Sequence, residues 1–265
     1  MARDIVLVGC GNMGFAMLSG WIAQGGDAVF HVVEPDQGLQ KRALSVGAHA
    51  VASIDDLGDV APDLVFLAIK PQVMAEVAPA YGRFGGAAFV SVAAGVTCAS
   101  LRDWLGADAG IIRTMPNTPA AIGEGMMVSF ANPHVTAAQK AAVDGLLSAS
   151  GQTGWIEDEG LMDAVTAISG SGPAYVFHFI ECLSQSAVDL GLAPDLAQKL
   201  ALQTVAGAGL LARGSETSPG VLREQVTSPG GTTAAALDVF MGRLGPLMDQ
   251  ATTAARDRGA ELGRG

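Results

Sequence analysis

Residues 4–26, DIVLVGCGNMGFAMLSGWIAQGG, run from a short β-branched segment through a glycine motif into a helical pattern. This order of strand, glycine turn and helix is the context in which G-x-G-x-x-G binds a dinucleotide. Gly9 allows a tight turn, Gly11 lets the backbone approach a pyrophosphate, and Gly14 permits close packing of helix on strand. The alternative is a tight βα turn without a ligand. The stretch predicts a Rossmann-type dinucleotide-binding domain.

Candidate cofactor ligands extend beyond these glycines. Asn12 and Met13 complete the motif at the start of the helix. Glu34 follows the second predicted strand, where an acid can accept both ribose hydroxyls of NAD and would repel the 2′-phosphate of NADP. A surface acid at a strand end is the alternative reading, and Lys41 and Arg42 are close enough in sequence to reach a 2′-phosphate. The cofactor is therefore NADPH or NADH.

Two proline-containing loops are further candidates. LAIKPQ (67–72) and RTMPNTPA (113–120) follow predicted strands at the edge where ligands bind in open α/β sheets. Lys70 and Pro71 would form an ordered turn near the cofactor, and Asn117 lies between two prolines in a rigid loop. Because prolines in loops are commonly structural, a purely structural role remains the alternative for both loops.

Short apolar runs alternate with helical stretches through the first part of the chain, which is typical of a mostly parallel sheet with helices on both faces. The predicted strands are 4–8, 28–33, 63–69, 87–92, 109–113, 125–130 and 152–157. We therefore expect a doubly wound α/β domain over residues 1–157.

The second part, residues 158–265, has long Ala/Leu/Gly-rich segments instead of strands and is predicted to be all helical. Between residues 161 and 212 it has only five charged residues. So few charges cannot solvate the outside of a helix pair, so these helices are expected to bury a second face against another subunit. The domain is predicted to bind substrate and to form the dimer.

Composition excludes several classes of function. The net charge is −11 and there is no basic stripe, which disfavours nucleic-acid binding. The uncharged run 164–180 is interrupted by SGSGP, and the N-terminus lacks a basic leader, so we expect a cytoplasmic protein without a membrane span. The cysteines Cys10, Cys98 and Cys182 are interpreted as small buried residues. Neither they nor the histidines show ligand spacing, so no metal is predicted.

The segment SPGGTT, residues 228–233, precedes an alanine-rich helix in the second domain. From residue 114 to residue 212 there is no arginine, and the only lysines are Lys140 and Lys199. A carboxylate substrate would therefore depend on backbone amides, which a helix N-terminus presents together with a partial positive charge. An ordinary capped turn between helices is the equal alternative.

Five motifs, GCGNMG, AIKP, MPNTP, SGSGPAY and LREQVTSPGGTTAAAL, occur in an order and at separations that resemble the Δ1-pyrroline-5-carboxylate reductase family. The resemblance covers essentially the whole chain. It implies an NAD(P)H-dependent oxidoreductase that catalyses the last step of proline biosynthesis, the reduction of a cyclic imino acid to L-proline. It also implies a helical C-terminal domain that intertwines with a second subunit.

The resemblance further implies roles for individual residues of the substrate site. The amides of Gly231, Thr232 and Thr233 would hold the substrate carboxylate, and the Thr233 hydroxyl would contact the ring nitrogen as the one catalytic side chain. Glu216 matches an acidic position near that nitrogen, and Ser171 belongs to the loop beside the nicotinamide.

For the cofactor, the resemblance places Asn117 in a loop that lines it. Many family members hold the 2′-phosphate with an Asn-Arg or Ser-rich segment, whereas this chain has Glu34-Pro35-Asp36. We therefore predict that NADH is used at least as well as NADPH.

Two other functions are weighed against this one. A β-hydroxyacid dehydrogenase would need a proton-carrying lysine early in its interdomain helix, and residues 141–198 contain no lysine. A regulatory protein that has lost turnover would be expected to lose Thr233 or Glu216, and both are present.

Overall fold

The computed structural model of this chain describes residues 3–263, so the outer ends of the two predicted domains, residues 1 and 265, lie outside the described residues. The first compact unit is built on one eight-stranded sheet with the strand order β3-β2-β1-β4-β5-β6-β7-β8. The strands are β1 Asp4–Val8, β2 Val29–Val33, β3 His49–Val51, β4 Leu64–Leu67, β5 Ala88–Ser91, β6 Gly110–Met115, β7 Gly125–Ala131 and β8 Gly151–Trp155.

The central strand β1 is buried on both faces, as expected for a parallel strand covered by helices. Ile5 and Leu7 belong to one core cluster, and Val6 and Val8 belong to a second cluster on the opposite face. Because side chains alternate along a strand, the continuous apolar run that predicted β1 supplies both cores.

Helices cover both faces of this sheet. The helices of the unit are α1 Asn12–Gln24, α2 Gln37–Ser45, α3 Pro71–Val77, α4 Cys98–Leu105, α5 Ala137–Leu147 and α6 Met162–Val165. Trp21 of α1 and Leu147 of α5 pack in the cluster of Ile5, whereas Met74 of α3 and Leu101 of α4 pack in the other. The predicted doubly wound α/β class is confirmed.

The sheet differs from expectation in one strand. All pairings are parallel except β6 with β7, and the seven predicted strands are present with ends shifted by at most two residues. β3 is missing from the prediction because His-Ala-Val is too short to show a period and pairs only with β2.

The second compact unit, Gly172–Ala254, is helical, as predicted. The helices are α7 Gly172–Asp189, α8 Pro194–Gly214, α9 Pro219–Gln225, α10 Thr232–Met241 and α11 Leu244–Leu262, whose last residues belong to the first unit, Met1–Ser171 with Ala255–Gly265. The sequence boundary, 1–157 and 158–265, follows the last strand and remains a prediction.

Few hydrophobic side chains of this unit are buried within the chain, namely Ala197 and Ala201 of α8. Large apolar side chains are exposed on several of its helices: Val176, Phe177, Phe179, Leu196, Leu200, Leu202, Leu210, Leu211, Val239, Phe240, Met241, Leu247 and Met248. Such a surface indicates an interface with another chain. Over residues 3–263, no helix combines the length and the apolar character needed to span a lipid bilayer.

Candidate active site

The turn between β1 and α1 is tightly packed at two of its three glycines. Gly9 has a φ of 86°, and a Cβ there would lie 2.7 Å from the Ala68 carbonyl oxygen. A Cβ on Gly14 would overlap the Gly9 carbonyl oxygen. A Cβ on Gly11, in contrast, would meet no atom within 4 Å. Within the described residues no protein contact explains why Gly11 lacks a side chain.

The open space above Gly11 fits a pyrophosphate. Gly11 is the residue before α1, and no side chain caps this helix. The first N–H groups of the helix therefore lack intrahelical partners and face the space that a Cβ would fill. The neighbouring cleft has a volume of about 610 Å³ and lies between the carboxyl ends of β1 and β4, where the direction of the strand order reverses.

The structure brings four of the predicted cofactor residues together in this cleft, namely Gly9, Gly11, Glu34 and Lys70. Asn12 and Met13 are the first two residues of α1, directly after Gly11. Gly14 lies beneath the turn, and Pro71 is the first residue of α3. Asn117 is not among the residues that line the cleft.

Glu34 is buried rather than a surface acid, with 7% of its surface exposed. One carboxylate oxygen accepts a hydrogen bond from Cys10 N at 2.7 Å, and the other accepts one from Asp36 N at 3.0 Å. Each oxygen keeps a lone pair that can accept a ribose hydroxyl. The Glu34 carboxylate therefore already accepts from one amide of the β1–α1 turn and one of the loop after β2, and its negative charge disfavours a phosphate beside it.

Arg42 is one of the two cations that the sequence places within reach of a 2′-phosphate. Its guanidinium lies over the Phe15 ring, 3.7 Å from the ring centroid. Burial, and next the Glu34 carboxylate, raise the pKa of the Cys10 thiol to about 11, and Arg42 acts in the opposite direction. Cys10 is thus a neutral, buried thiol at neutral pH, as predicted.

Asn117 contacts two distant backbone groups. Its Oδ1 accepts from Met126 N at 2.9 Å, and its Nδ2 donates to the Ser169 carbonyl oxygen at 3.1 Å. Ser169 belongs to a π-helical turn, Thr166–Gly170, which directly precedes the predicted site residue Ser171. The loop that follows β6 is therefore tied to the segment that carries Ser171.

A buried ion pair anchors the beginning of that same segment, and sequence reasoning missed it. Arg113 of β6 donates to Glu159 Oε1 at 2.7 Å, and Cys98 N of α4 donates to the same oxygen at 2.7 Å. The two partners are 46 residues apart, and no local pattern pairs them. Burial first, and then Glu159, raise the pKa of the Cys98 thiol to about 12.

The SPGGTT segment forms a turn followed by the start of a helix. No side chain caps that helix, so the structure does not have the ordinary capped turn that was the alternative. Gly231 is the residue before α10, and no side chain caps this helix. The backbone N–H groups of Thr232 and Thr233 therefore lack intrahelical partners. The Gly231 N–H donates to the Ser228 carbonyl at 3.0 Å, which closes the turn. A role for the Gly231 amide in holding the carboxylate stays a prediction.

The remaining substrate-site predictions fall at the following places. Thr233 is half-buried and Thr232 is exposed at the first turn of α10. Glu216 is exposed in the loop between α8 and α9. Ser171 donates its N–H to the Thr166 carbonyl at 2.8 Å, across the π-helical turn. None of these positions tests the predicted roles.

Cys182 differs from its prediction. It is exposed on α7, and its sulfur lies 3.6 Å from His178 Nε2, whereas Cys10 and Cys98 are buried. The histidine also contacts Glu181 Oε2 at 3.0 Å. Among residues 3–263, no group of three or more His, Cys, Asp or Glu side chains is arranged to hold a metal ion.

Known proteins similar to this chain agree with the geometry. Residues 4–95 match a family described as NADP oxidoreductase, coenzyme F420-dependent, and residues 159–262 match one described as pyrroline-5-carboxylate reductase dimerisation. The pyrroline-5-carboxylate reductase of Pseudomonas aeruginosa is 41% identical over 263 residues, which cover 97% of this chain and 96% of that protein.

Two crystal structures are also similar. A pyrroline-5-carboxylate reductase from Coxiella burnetii matches with a TM-score of 0.93 and 35% identity over 99% of both chains. The structure of Plasmodium falciparum pyrroline carboxylate reductase with NADP bound matches with a TM-score of 0.85 and 28% identity over 98% of both chains.

A dinucleotide cleft in a Rossmann-type sheet, joined to a helical domain, defines an oxidoreductase of the two-domain, nicotinamide-dependent class. Within that class, the chain belongs to the pyrroline-5-carboxylate reductase family. The family resemblance and the enzyme class predicted from sequence are confirmed. The predicted NAD(P)H cofactor agrees with the description of the first matched region, and the matched dimerisation domain indicates a homo-oligomer.

Proposed function

We propose that this chain reduces the C=N bond of Δ1-pyrroline-5-carboxylate to L-proline with NADH or NADPH. The observation that carries the proposal is a pair of uncapped helix N-termini, one at the dinucleotide cleft and one at SPGGTT. The first suits a pyrophosphate and the second suits a small carboxylate. Relatives that are similar over the whole chain have this activity by name.

The cofactor would be held by residues at the switch point of the sheet. Its pyrophosphate would lie over Gly11 at the start of α1, and its adenosine ribose would meet Glu34. Lys70 and Pro71 would border it at the end of β4. When bound, the nicotinamide supplies the hydride. The negatively charged Glu34 carboxylate already accepts hydrogen bonds from two backbone amides. We therefore infer that NADH is accepted at least as well as NADPH.

The substrate carboxylate would accept hydrogen bonds from the N–H groups of Thr232 and Thr233. Their alignment with α10 adds the partial positive charge of the helix N-terminus. Gly231 would contribute through its small size, because a Cβ there would lie 3.1 Å from the Ser228 carbonyl oxygen. The absence of a side-chain cap leaves these donors available.

The chemistry needs little acid–base machinery. A pyrroline imine is basic enough to arrive protonated, so hydride addition at carbon moves the C=N electron pair onto a nitrogen that already has its proton. The Thr233 hydroxyl would hold that nitrogen, and Glu216 would stabilise its positive charge. Ser171 would border the reacting face. The chain would therefore act by orientation and exclusion of water.

We also propose that the homo-oligomer is built from intertwined dimers in which each active site joins the dinucleotide domain of one subunit to SPGGTT of its partner. The exposed apolar side chains of the second unit support a large interface. At cofactor and substrate concentrations well below the constants of the variants, Gly11→Val and Gly231→Val would each remove most of the function of one half of the site. A doubly tagged heterodimer of the two variants should recover about half of the wild-type activity, because one of its two sites is intact. A heterodimer without activity would contradict the shared site.

The enzyme assay tests the function itself. Purified protein with Δ1-pyrroline-5-carboxylate should oxidise NADH or NADPH, followed by the loss of nicotinamide absorbance. Proline should drive the reverse reaction at alkaline pH. Oxidation of 2-hydroxy acids instead would favour a hydroxyacid dehydrogenase. Cofactor binding without turnover of any imino acid would favour a regulatory protein.

A further inference from the structure

The π-helical turn Thr166–Gly170 leaves one carbonyl group in need of a donor. In a continuous α-helix the Ser169 carbonyl would accept from the N–H of residue 173, but residue 173 is proline and has none. The Ser171 N–H is also committed, because it donates to Thr166 O at 2.8 Å. The donor that an α-helix would supply to this carbonyl is therefore absent, and a donor from elsewhere in the chain can take its place.

Asn117 supplies that partner. Its Nδ2 donates to the Ser169 carbonyl at 3.1 Å across 52 residues of sequence. Asn117 stands directly before the 3₁₀ turn Thr118–Ile122, where an asparagine commonly caps the turn, yet its side chain makes no cap bond there. Its Oδ1 instead accepts from Met126 N at the start of β7. One carboxamide thus joins the β6–β7 loop, β7 and the π-helical turn.

Packing reinforces the same arrangement. A Cβ on Gly170 would lie 3.1 Å from Met115 Sδ, so the turn already lies against the end of β6. Met115 and Asn117 are separated by one residue on the same stretch of chain. The contact between Gly170 and Met115 sets the distance of the turn from the sheet, and the directional hydrogen bond of Asn117 sets its rotation.

We propose that Asn117 is a positioning residue for the reaction, which acts by holding the Ser169 carbonyl and thereby orienting Ser171, rather than by binding the cofactor. This inference rests on the proposed function, since Ser171 is the residue assigned to the reacting face. The inference explains why Asn117 does not line the dinucleotide cleft, although the β6–β7 loop lies at the carboxyl edge of the sheet. Both of these hydrogen bonds of its side chain are made with backbone groups, Ser169 O and Met126 N.

Asn117→Asp is the sharpest variant, because it keeps an acceptor for Met126 N and removes only the donor to Ser169 O. The chain offers a matched control in Asn132, which is buried at the other end of β6. Asn132 Nδ2 donates to Ala109 O at 2.9 Å, and its Oδ1 accepts from Ile111 N at 3.1 Å. Asn132→Asp therefore removes the same kind of bond, from a side-chain amide to a backbone carbonyl, near the opposite end of β6 and away from Ser171.

The readouts are kcat, the dissociation constant of NADH and amide hydrogen exchange of peptides covering residues 166–175. Both variants should lower the melting temperature. Among fully folded samples, Asn117→Asp should lower kcat by about tenfold or more and speed exchange at residues 166–175, with NADH affinity changed less than about twofold. Asn132→Asp should leave kcat and that exchange unchanged. If Asn117→Asp does not fold, Asn117→Ala is measured in its place.

Two results would overturn the inference. A large loss of NADH affinity with unchanged exchange would make Asn117 a cofactor ligand. Equal effects of both variants on kcat, in step with their stability, would make it structural only. The exchange measurement does not depend on turnover, so failure of the proposed reaction, seen as an inactive wild-type protein, is distinguished from failure of this inference.

Discussion

The chain has two glycine turns with similar local structure and different support. Each turn has a glycine with positive φ, Gly9 at 86° and Gly230 at 68°, and each leads into a helix with no side-chain cap. Side chains added at Gly9 or Gly14 would collide with neighbouring backbone. A Cβ on Gly230 would meet no described atom within 4 Å.

The difference lies in how each turn is held. The first turn is enclosed by β1, β4 and α1 of the same unit, so its geometry is set by a packed core. The second turn is held mainly by the bond from Gly231 N to Ser228 O, in a unit that exposes much apolar surface. Side chains added at the packed glycines of the first turn, Gly9 and Gly14, should therefore act through folding, and changes in the second turn should act through substrate binding.

The largest effect is expected from Gly14→Val. Its Cβ would overlap the Gly9 carbonyl oxygen, so the variant should lose at least about 3 kcal/mol of the free energy of unfolding. Gly11→Val is the matched control, because its Cβ meets open space. That control should keep the wild-type melting temperature and lose NADH affinity by about tenfold or more. Wild-type stability of Gly14→Val in a denaturant titration would break the comparison.

Gly231→Val should act on substrate binding instead. Because φ at Gly231 is −80°, the constraint is not its backbone angle but the Ser228 oxygen and the approach of the carboxylate. We expect the KM for Δ1-pyrroline-5-carboxylate to rise by about tenfold to a hundredfold, or about 1.4 to 3 kcal/mol, with NADH affinity unchanged. Gly242→Val, at the other end of α10, should leave KM unchanged. If only the melting temperature responds, the segment is a structural turn.

Thr233→Ala should have an effect as large as that of Gly231→Val or smaller, and the effect should be on the chemical step. If its hydroxyl holds the ring nitrogen more strongly in the transition state, kcat/KM should fall by about tenfold to a hundredfold, or about 1.4 to 3 kcal/mol. Thr227→Ala serves as control, since the Thr227 hydroxyl donates to Arg223 O within its own turn. Full activity of Thr233→Ala, together with a Gly231→Val variant that changes only the melting temperature, would make Arg223, which lines a groove near α10, the next candidate for the substrate carboxylate.

The smallest effect concerns the choice of cofactor at the first turn. Because the Glu34 carboxylate is buried on Cys10 N and Asp36 N, NADH should be used at least as well as NADPH. The measurement is kcat/KM for both cofactors. An advantage of NADPH greater than about tenfold, about 1.4 kcal/mol, would contradict the interpretation of Glu34. Glu34→Gln should shift the ratio toward NADPH by removing the negative charge.

Much of the fold could be predicted because its signals are local. The β-branched runs of β1 and β4 and the helical pattern after Gly14 each depend on a few adjacent residues. The strand β3 was missed because three residues do not make a period. Cys182 was placed in a core by its residue type, although the surface of α7 exposes it in the single subunit.

The sequence by itself determined the order of the longer elements and the dinucleotide motif, because these follow from residues within a few positions of each other, and the order of its five motifs indicated the family. Only the tertiary structure decided which polar groups meet. Glu34 reaches Cys10, Asn117 reaches Ser169, and Arg113 reaches Glu159 across 24, 52 and 46 residues of sequence. A hydrogen bond depends on distances of about 3 Å between atoms, and the path of the chain between distant residues sets those distances.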